Sequence, residues 1–97
     1  MGYRNVERIM WAQPPIDVTP NAKLLLLLMA RRAHDEEPFY FGGISHLMLN
    51  MPGPDTPHKR RVIMRYRATL QKAGLITATR KKVGHRKVYE LHLPGSG

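Results

Sequence analysis

The sequence predicts a mainly α-helical domain closed by a small β-hairpin, an α+β fold, and three observations predict it. Two helices share the same opening, Thr19-Pro20 and Thr56-Pro57. The second of them runs to Gly74 and carries apolar and basic residues on opposite faces. After Gly74 the pattern changes from helical to alternating, with a basic, glycine-containing segment between two extended runs.

Ninety-seven residues supply one domain with a single modest core and leave little material for a deep catalytic cleft. The domain is expected to span residues 1–93, with 94–97 a flexible tail whose Gly-Ser-Gly end has the composition of a linker. The formal net charge is +9 and the pI about 10.5, a balance that points to nucleic acid or another anionic partner. Its distribution is uneven. Residues 1–57 hold five Lys/Arg and six Asp/Glu, whereas residues 58–97 hold eleven basic side chains and the lone carboxylate Glu90. There is no cysteine, so neither a disulfide framework nor a thiolate metal site is available. The longest apolar run, Leu24 to Ala30, is seven residues, far short of the ~20 that span a bilayer. A soluble, cytoplasmic, nucleoid-associated protein with no membrane partner is the expectation.

In chain order, residues 3–13 space Val6, Ile9 and Met10 as a short helix does, with a strand from near Ile9 as the alternative, and Pro14-Pro15 end either because the residue before proline is pushed to an extended conformation. Trp11 is expected to be a packing anchor, the usual role of a lone tryptophan in a small domain. Thr19 as N-cap and Pro20 at the first helical position start a helix to about His34. Because Leu24–Ala30 is apolar all round, this helix should be central. Asp35-Glu36-Glu37-Pro38 breaks it and reads as a solvated helix terminus. Phe39-Tyr40-Phe41 reads as a small strand, Gly42-Gly43 as a turn, and Ile44 to about Met51 as a second short helix. Met51-Pro52-Gly53-Pro54-Asp55 cannot continue a helix and leads as a turn into Thr56.

The Thr56 helix is the organising element. Ile63, Tyr66, Leu70 and Ala73 recur at three- and four-residue spacing, forming a stripe that must be buried. The opposite face collects Arg61, Met64, Arg65, Ala68 and Lys72, flanked by His58, Arg60 and Arg67. Ordinary surface helices mix signs to gain pairing; here no acidic residue occurs between His58 and Tyr89. Beyond Gly74, Leu75–Arg80 and Lys87–Leu93 alternate as strands, and Lys81-Lys82-Val83-Gly84-His85-Arg86 between them forms a positive tip. The tip follows the basic helix closely enough to lie beside it.

Helix, short helix, turn, basic helix and basic-tipped hairpin is the order of a winged helix-turn-helix. Leu70-Gln71-Lys72-Ala73-Gly74-Leu75-Ile76 resembles the recognition-helix end of many bacterial and phage winged-helix proteins. Phe41-Gly42-Gly43-Ile44-Ser45-His46-Leu47 is similar to the start of the second helix in small helix-turn-helix proteins of actinobacterial phages, plasmids and integrative elements. The resemblance covers roughly residues 19–93. It implies binding of double-stranded DNA with helix 57–73 in the major groove, as a regulator of transcription or excision or as a replication-initiation module. The turn at Met51–Asp55 departs from the pattern, being longer and richer in proline than the compact form.

A major groove about 12 Å wide admits one helix, and guanidinium groups pair bidentately with guanine. Arg61 and Arg65 are therefore the expected base readers, with His58 and Met64 beside them. Lys59, Arg60, Arg67 and Lys72 are expected on phosphates, which position without specifying. The wing residues Lys81, Lys82, His85, Arg86 and Lys87 should grip backbone or enter the minor groove.

An enzyme is not expected: Ser45 and Ser96 have no triad-like partners in spacing. His34, His46, His58, His85 and His92 lack paired metal-ligand spacing, so neither metal nor cofactor is implied. His46 should be partly buried or capping. RNA binding is a competing mode, but Tyr66 and Tyr89 fall on faces expected to be buried, whereas RNA platforms display aromatics outward. A protein-interaction winged helix within a nucleoprotein assembly is the other alternative, with the near-neutral N-terminal half as its surface. A homodimer contact could come from residues 3–13 or from the Leu24–Ala30 helix.

Overall fold

The computed structural model describes residues 3–12, 16–33, 39–40, 43–84 and 86–93. Among them it has four helices, α1 (Tyr3–Met10), α2 (Pro20–Arg32), α3 (Gly43–Asn50) and α4 (Pro57–Lys72), and three strands, β1 (Phe39–Tyr40), β2 (Ile76–Val83) and β3 (Arg86–Leu91). The fold is α+β. Both Thr-Pro starts form as the sequence predicts. Thr19 Oγ1 accepts from the Ala22 amide at 3.4 Å and Thr56 Oγ1 from the Lys59 amide at 3.1 Å, each satisfying one of the donors that a helix start leaves over.

α2 is the central element, packed against α1, α3, α4 and β1. Leu25, Leu26, Met29 and Ala30 are fully buried, and Leu24, Leu27 and Leu28 pack against the core from its edges. All sides of the apolar run are thus used inside the fold. Ile9 of α1, Leu47 of α3, Ile63 and Leu70 of α4, and Ile76, Tyr89 and Leu91 of the hairpin complete the core. Full burial of each such leucine or isoleucine contributes roughly 1.5–3 kcal/mol.

α1 docks through a polar contact as well. Asn5 is fully buried, and its Nδ2 donates to the Ala30 and Ala33 carbonyls, each at 3.4 Å, while Arg8 donates to Asn5 Oδ1 at 3.3 Å. These carbonyls belong to the end of α2, where intrahelical donors run out. Trp11, expected as an anchor, is instead 75% exposed. It follows the last residue of α1, beyond the turn that packs, and the core is closed by Tyr40 and Tyr89 instead.

The sheet is antiparallel in the order β1-β3-β2. β1 adds Phe39 opposite Glu90 and Tyr40 opposite Tyr89. β2 pairs Ile76 with Leu91, Thr77 with Glu90, Ala78 with Tyr89, Lys82 with Lys87 and Val83 with Arg86. The basic segment expected as a long tip is therefore mostly strand, with β2 running to Val83, β3 starting at Arg86 and Gly84 at φ 63°. The register breaks between Ala78 and Lys82, where three residues of β2 face Val88 alone, a bulge of the kind that bends a strand and increases its twist. The predictions made for Pro14-Pro15, for Asp35–Pro38, for the Phe41-Gly42 turn and for the 94–97 tail lie outside the described residues.

Candidate nucleic-acid interface

α4 separates its faces much as the sequence predicts. Ile63 and Leu70 are buried, Tyr66 is half-buried with its hydroxyl 3.1 Å from Asn21 Nδ2, and Ala73 just beyond the last turn is exposed. His58, Arg60, Arg61, Met64, Arg65, Ala68 and Lys72 are all exposed. Arg61 and Arg65 are one turn apart and point away from the buried stripe, leaving their guanidinium groups free to reach a ligand.

Lys59 departs from its expected phosphate-binding role. Its side chain turns inward and is only 9% exposed, and Nζ donates to the Met48 carbonyl at 2.6 Å, the Gly53 carbonyl at 2.9 Å and Asp55 Oδ1 at 3.0 Å. An ammonium has three donors, so none remains for a phosphate. The physical reason is the proline-rich turn, which cannot satisfy its own carbonyls or those at the end of α3 with backbone amides. Lys59 thereby holds the unusually long connection between α3 and α4 in one conformation.

The end of α4 is closed and joined to the hairpin. Gly74 sits at φ 77°, its amide donates to the Gln71 carbonyl at 3.1 Å, and the Leu75 amide donates to the Leu70 carbonyl at 3.0 Å. This is the paired-bond closure that glycine makes cheap. The Leu75 carbonyl then accepts from the His92 amide at 2.8 Å, so the hairpin leaves α4 in a fixed direction.

That direction places the hairpin against the α4 residues around Arg60 and Arg67. The Arg67 Cζ lies 5.0 Å from the centroid of the Tyr89 ring, a cation–π contact that seats the guanidinium over the ring. An open groove of about 500 Å³ runs between the elements, lined by Gly43, Ile44 and Ser45 of α3, Arg60, Met64 and Arg67 of α4, and Lys82 and Lys87 of the hairpin. Among the described residues four cations line it and no carboxylate does. Among the described residues the ion pair is Lys59–Asp55, and it lies in the turn.

The remaining expected residues distribute as follows. Lys72 lines a separate hollow with Asp17, Val18, Thr19, Thr69 and Ala73, where α4 ends beside the start of α2. Lys81 has its ammonium 5.2 Å from the Phe39 ring centroid, and Phe39 lies opposite Glu90, on the face of the sheet away from Tyr89 and Lys87. Arg86 pairs through its backbone with Val83; its side chain and His85 lie outside the described residues. Sequence reasoning missed the first turn of α3 as a wall of the groove, Tyr89 as the seat of Arg67, and the exposed Arg80 of β2.

No family model, curated protein or solved structure matches this chain. The site must therefore be read from its own chemistry. His46, on the inward side of α3's first turn, has its Nδ1 2.7 Å from the Tyr40 hydroxyl, which also donates to the Gly43 carbonyl at 2.9 Å. A hydroxyl has one proton, so the ring nitrogen is the donor in the first bond. Burial, and after it the positive charge of Arg32, holds the imidazole pKa below its ordinary value. His46 is thus a neutral strut behind the groove. Among the described residues no cluster of three or more His, Asp or Glu could hold a metal, and no helix is long and apolar enough to cross a membrane.

Proposed function

We propose that the chain binds double-stranded DNA as a winged helix-turn-helix protein, with α3 and α4 as the helix pair, α4 in the major groove and the β2–β3 hairpin as the wing. One observation carries this reading: cations from two separate segments, Arg60 and Arg67 of α4 and Lys82 and Lys87 of the hairpin, converge on one groove that no carboxylate lines among the described residues. Convergent unpaired charge is costly to hold together in the absence of an anion, and the polyphosphate backbone is the anion whose length suits an open groove. Arg61 and Arg65 project beside that groove, where bidentate pairing with guanine can supply discrimination. The order of elements and the strand order β1-β3-β2 are compatible with this architecture. Tyr89 is buried and Tyr66 half-buried, so neither forms the outward stacking platform that single-stranded RNA requires.

The biological task that fits best is a regulator of transcription or excision, or a replication-initiation module, of a mobile element. Selection of bound duplexes from a random pool tests both levels. Enrichment of a motif supports sequence-specific binding; a palindrome assigns a dimeric regulator and direct repeats an origin-binding module. The Arg61→Ala, Arg65→Ala protein should lose the enriched motif while keeping its fold. A pool that returns no motif, or affinity that survives the double change, rules out α4 as the reader.

A further inference from the structure

We propose that the groove between α4 and the hairpin is a clamp for the phosphate of one DNA strand, held jointly by Arg67 and the Lys82/Lys87 pair, so that the hairpin grips the same strand as α4 rather than entering a neighbouring minor groove. This rests on the DNA-binding reading above and goes beyond it by assigning the hairpin its ligand and its register.

Three independent features converge on the clamp. Lys82 and Lys87 are direct cross-strand partners and both line the groove. Side chains so placed have Cβ atoms about 4.5–5.5 Å apart, and like charges in that position are destabilising. Opposite-charge pairs are the ordinary choice for such a position; a matched pair of lysines is what an anion between them would favour. Across the groove, the Arg67 guanidinium sits over the Tyr89 ring at 5.0 Å, a cation–π contact that consumes none of its N–H donors and leaves it able to pair bidentately with phosphate oxygens. The third feature is the first turn of α3, whose residues Gly43, Ile44 and Ser45 form the remaining wall. Amides at a helix start lack intrahelical partners and sit at the positive end of the dipole, which adds to the four cations without being needed to define the site. Lys81 lies over Phe39 on the other side of the strand and takes no part.

A clamp shared by two elements makes their contributions interdependent. Against a mixed-sequence duplex at low salt, Arg67→Ala and Lys87→Gln should each lower affinity roughly tenfold and reduce the salt slope by about 1. The double variant should fall well short of the hundredfold product, because removal of either side releases the same phosphate. Strictly multiplicative losses overturn the shared clamp while leaving DNA binding intact.

A second arm needs no duplex. Because it relieves the lysine–lysine repulsion, Lys87→Gln should raise the Tm of the free protein. Inorganic pyrophosphate should raise the Tm of the wild type but not of Lys87→Gln, with saturable NMR shifts at the Ile44 and Ser45 amides and the Arg67 Nε–H. Shifts confined to the Arg61/Arg65 face, or an equal pyrophosphate effect on both proteins, overturn the site. Pyrophosphate binding in the groove without any duplex binding overturns DNA as the source of the phosphate and the function proposed above, and leaves an anion site for a free phosphate compound.

Discussion

Lys59, in the first turn of α4, places its ammonium 2.6 Å from the carbonyl of Met48 in the last turn of α3. The same nitrogen reaches the Gly53 carbonyl and Asp55, so a single side chain ties both helices to the turn between them. Lys59→Met keeps the apolar stem and removes all three donors. With two carbonyls left to find other partners, the substitution should cost about 2 kcal/mol, read as a lower urea midpoint at unchanged m-value. Asp55→Asn should cost less than about 1 kcal/mol, because the carboxylate is 65% exposed and the pair is screened by water. Equal costs for the two changes would show that the ion pair, not the carbonyl contacts, holds the turn.

Gly74 gives a second test of how the interface is positioned. Its φ of 77° is strained for any residue with a Cβ, yet a Cβ there would have no heavy atom within 4 Å. The cost of substitution is therefore conformational and not steric. Gly74→Ala should destabilise by about 1–2 kcal/mol and Gly74→Asn by clearly less, since asparagine tolerates the left-handed region. Thermal or urea unfolding measures both. The Leu75 carbonyl holds His92, so the alanine variant should also loosen the hairpin, seen as faster amide exchange at His92. An equal cost for alanine and asparagine would count against the conformational account.

The features that were legible in the sequence are those fixed by local chemistry. Thr19 and Thr56 cap because their hydroxyls reach amides three residues on; Gly74 closes α4 because of its own backbone; the faces of α4 follow from a 3.6-residue period. What was not legible depends on partners distant in the chain. Nothing near Lys59 in sequence says that the Met48 and Gly53 carbonyls lack donors, so a lysine on a basic helix reads as one more exposed cation. Trp11 reads as core because tryptophan usually is, and only the docking of α1 through Asn5 and Ile9 shows that its turn falls outside. In the hairpin, composition shows the positive charge, but the division of Lys82 and Lys87 from Lys81 requires the register across the break after Ala78.

Trp11 is the only tryptophan in the chain, so its position is open to direct measurement. At 75% exposure its emission in the native protein should be that of an indole in water, and iodide should quench it nearly as well as in the urea-unfolded chain. Trp11→Ala should change stability by no more than about 0.5 kcal/mol, the range of surface substitutions. A blue-shifted, quencher-resistant emission would show that the indole is covered in solution, as it would be by a second copy of the chain.

His46 makes stability depend on pH with a sign that can be worked out. Its pKa is lowered from 6.5 in the folded protein, so near that pH the unfolded chain binds more protons and stability rises with pH. The stabilisation is complete above about pH 6.5 and is lost as pH falls through the depressed value. The Tm should therefore drop between neutral and mildly acidic pH, and His46→Gln should show a smaller drop across the same interval. A variant with the wild-type slope would place the titrating group elsewhere.

The salt dependence of duplex binding distinguishes the inward lysine from those that face the groove. With Arg60, Arg67, Lys82 and Lys87 on phosphates and Arg61 and Arg65 on bases, log K should fall against log[salt] with a slope of about −4, approaching −5 if the two base readers also touch backbone. Lys87→Gln should reduce the magnitude by about 1, as each lost phosphate contact does. Lys59→Met also removes one positive charge, but from a buried ammonium already committed to Met48, Gly53 and Asp55. It should therefore lower stability yet leave the slope within about 0.3 of the wild type, since no counterion is released from a phosphate it does not reach. A loss of about 1 for Lys59→Met would mean that its side chain swings out on binding, and the turn would then have to be held by other donors in the complex.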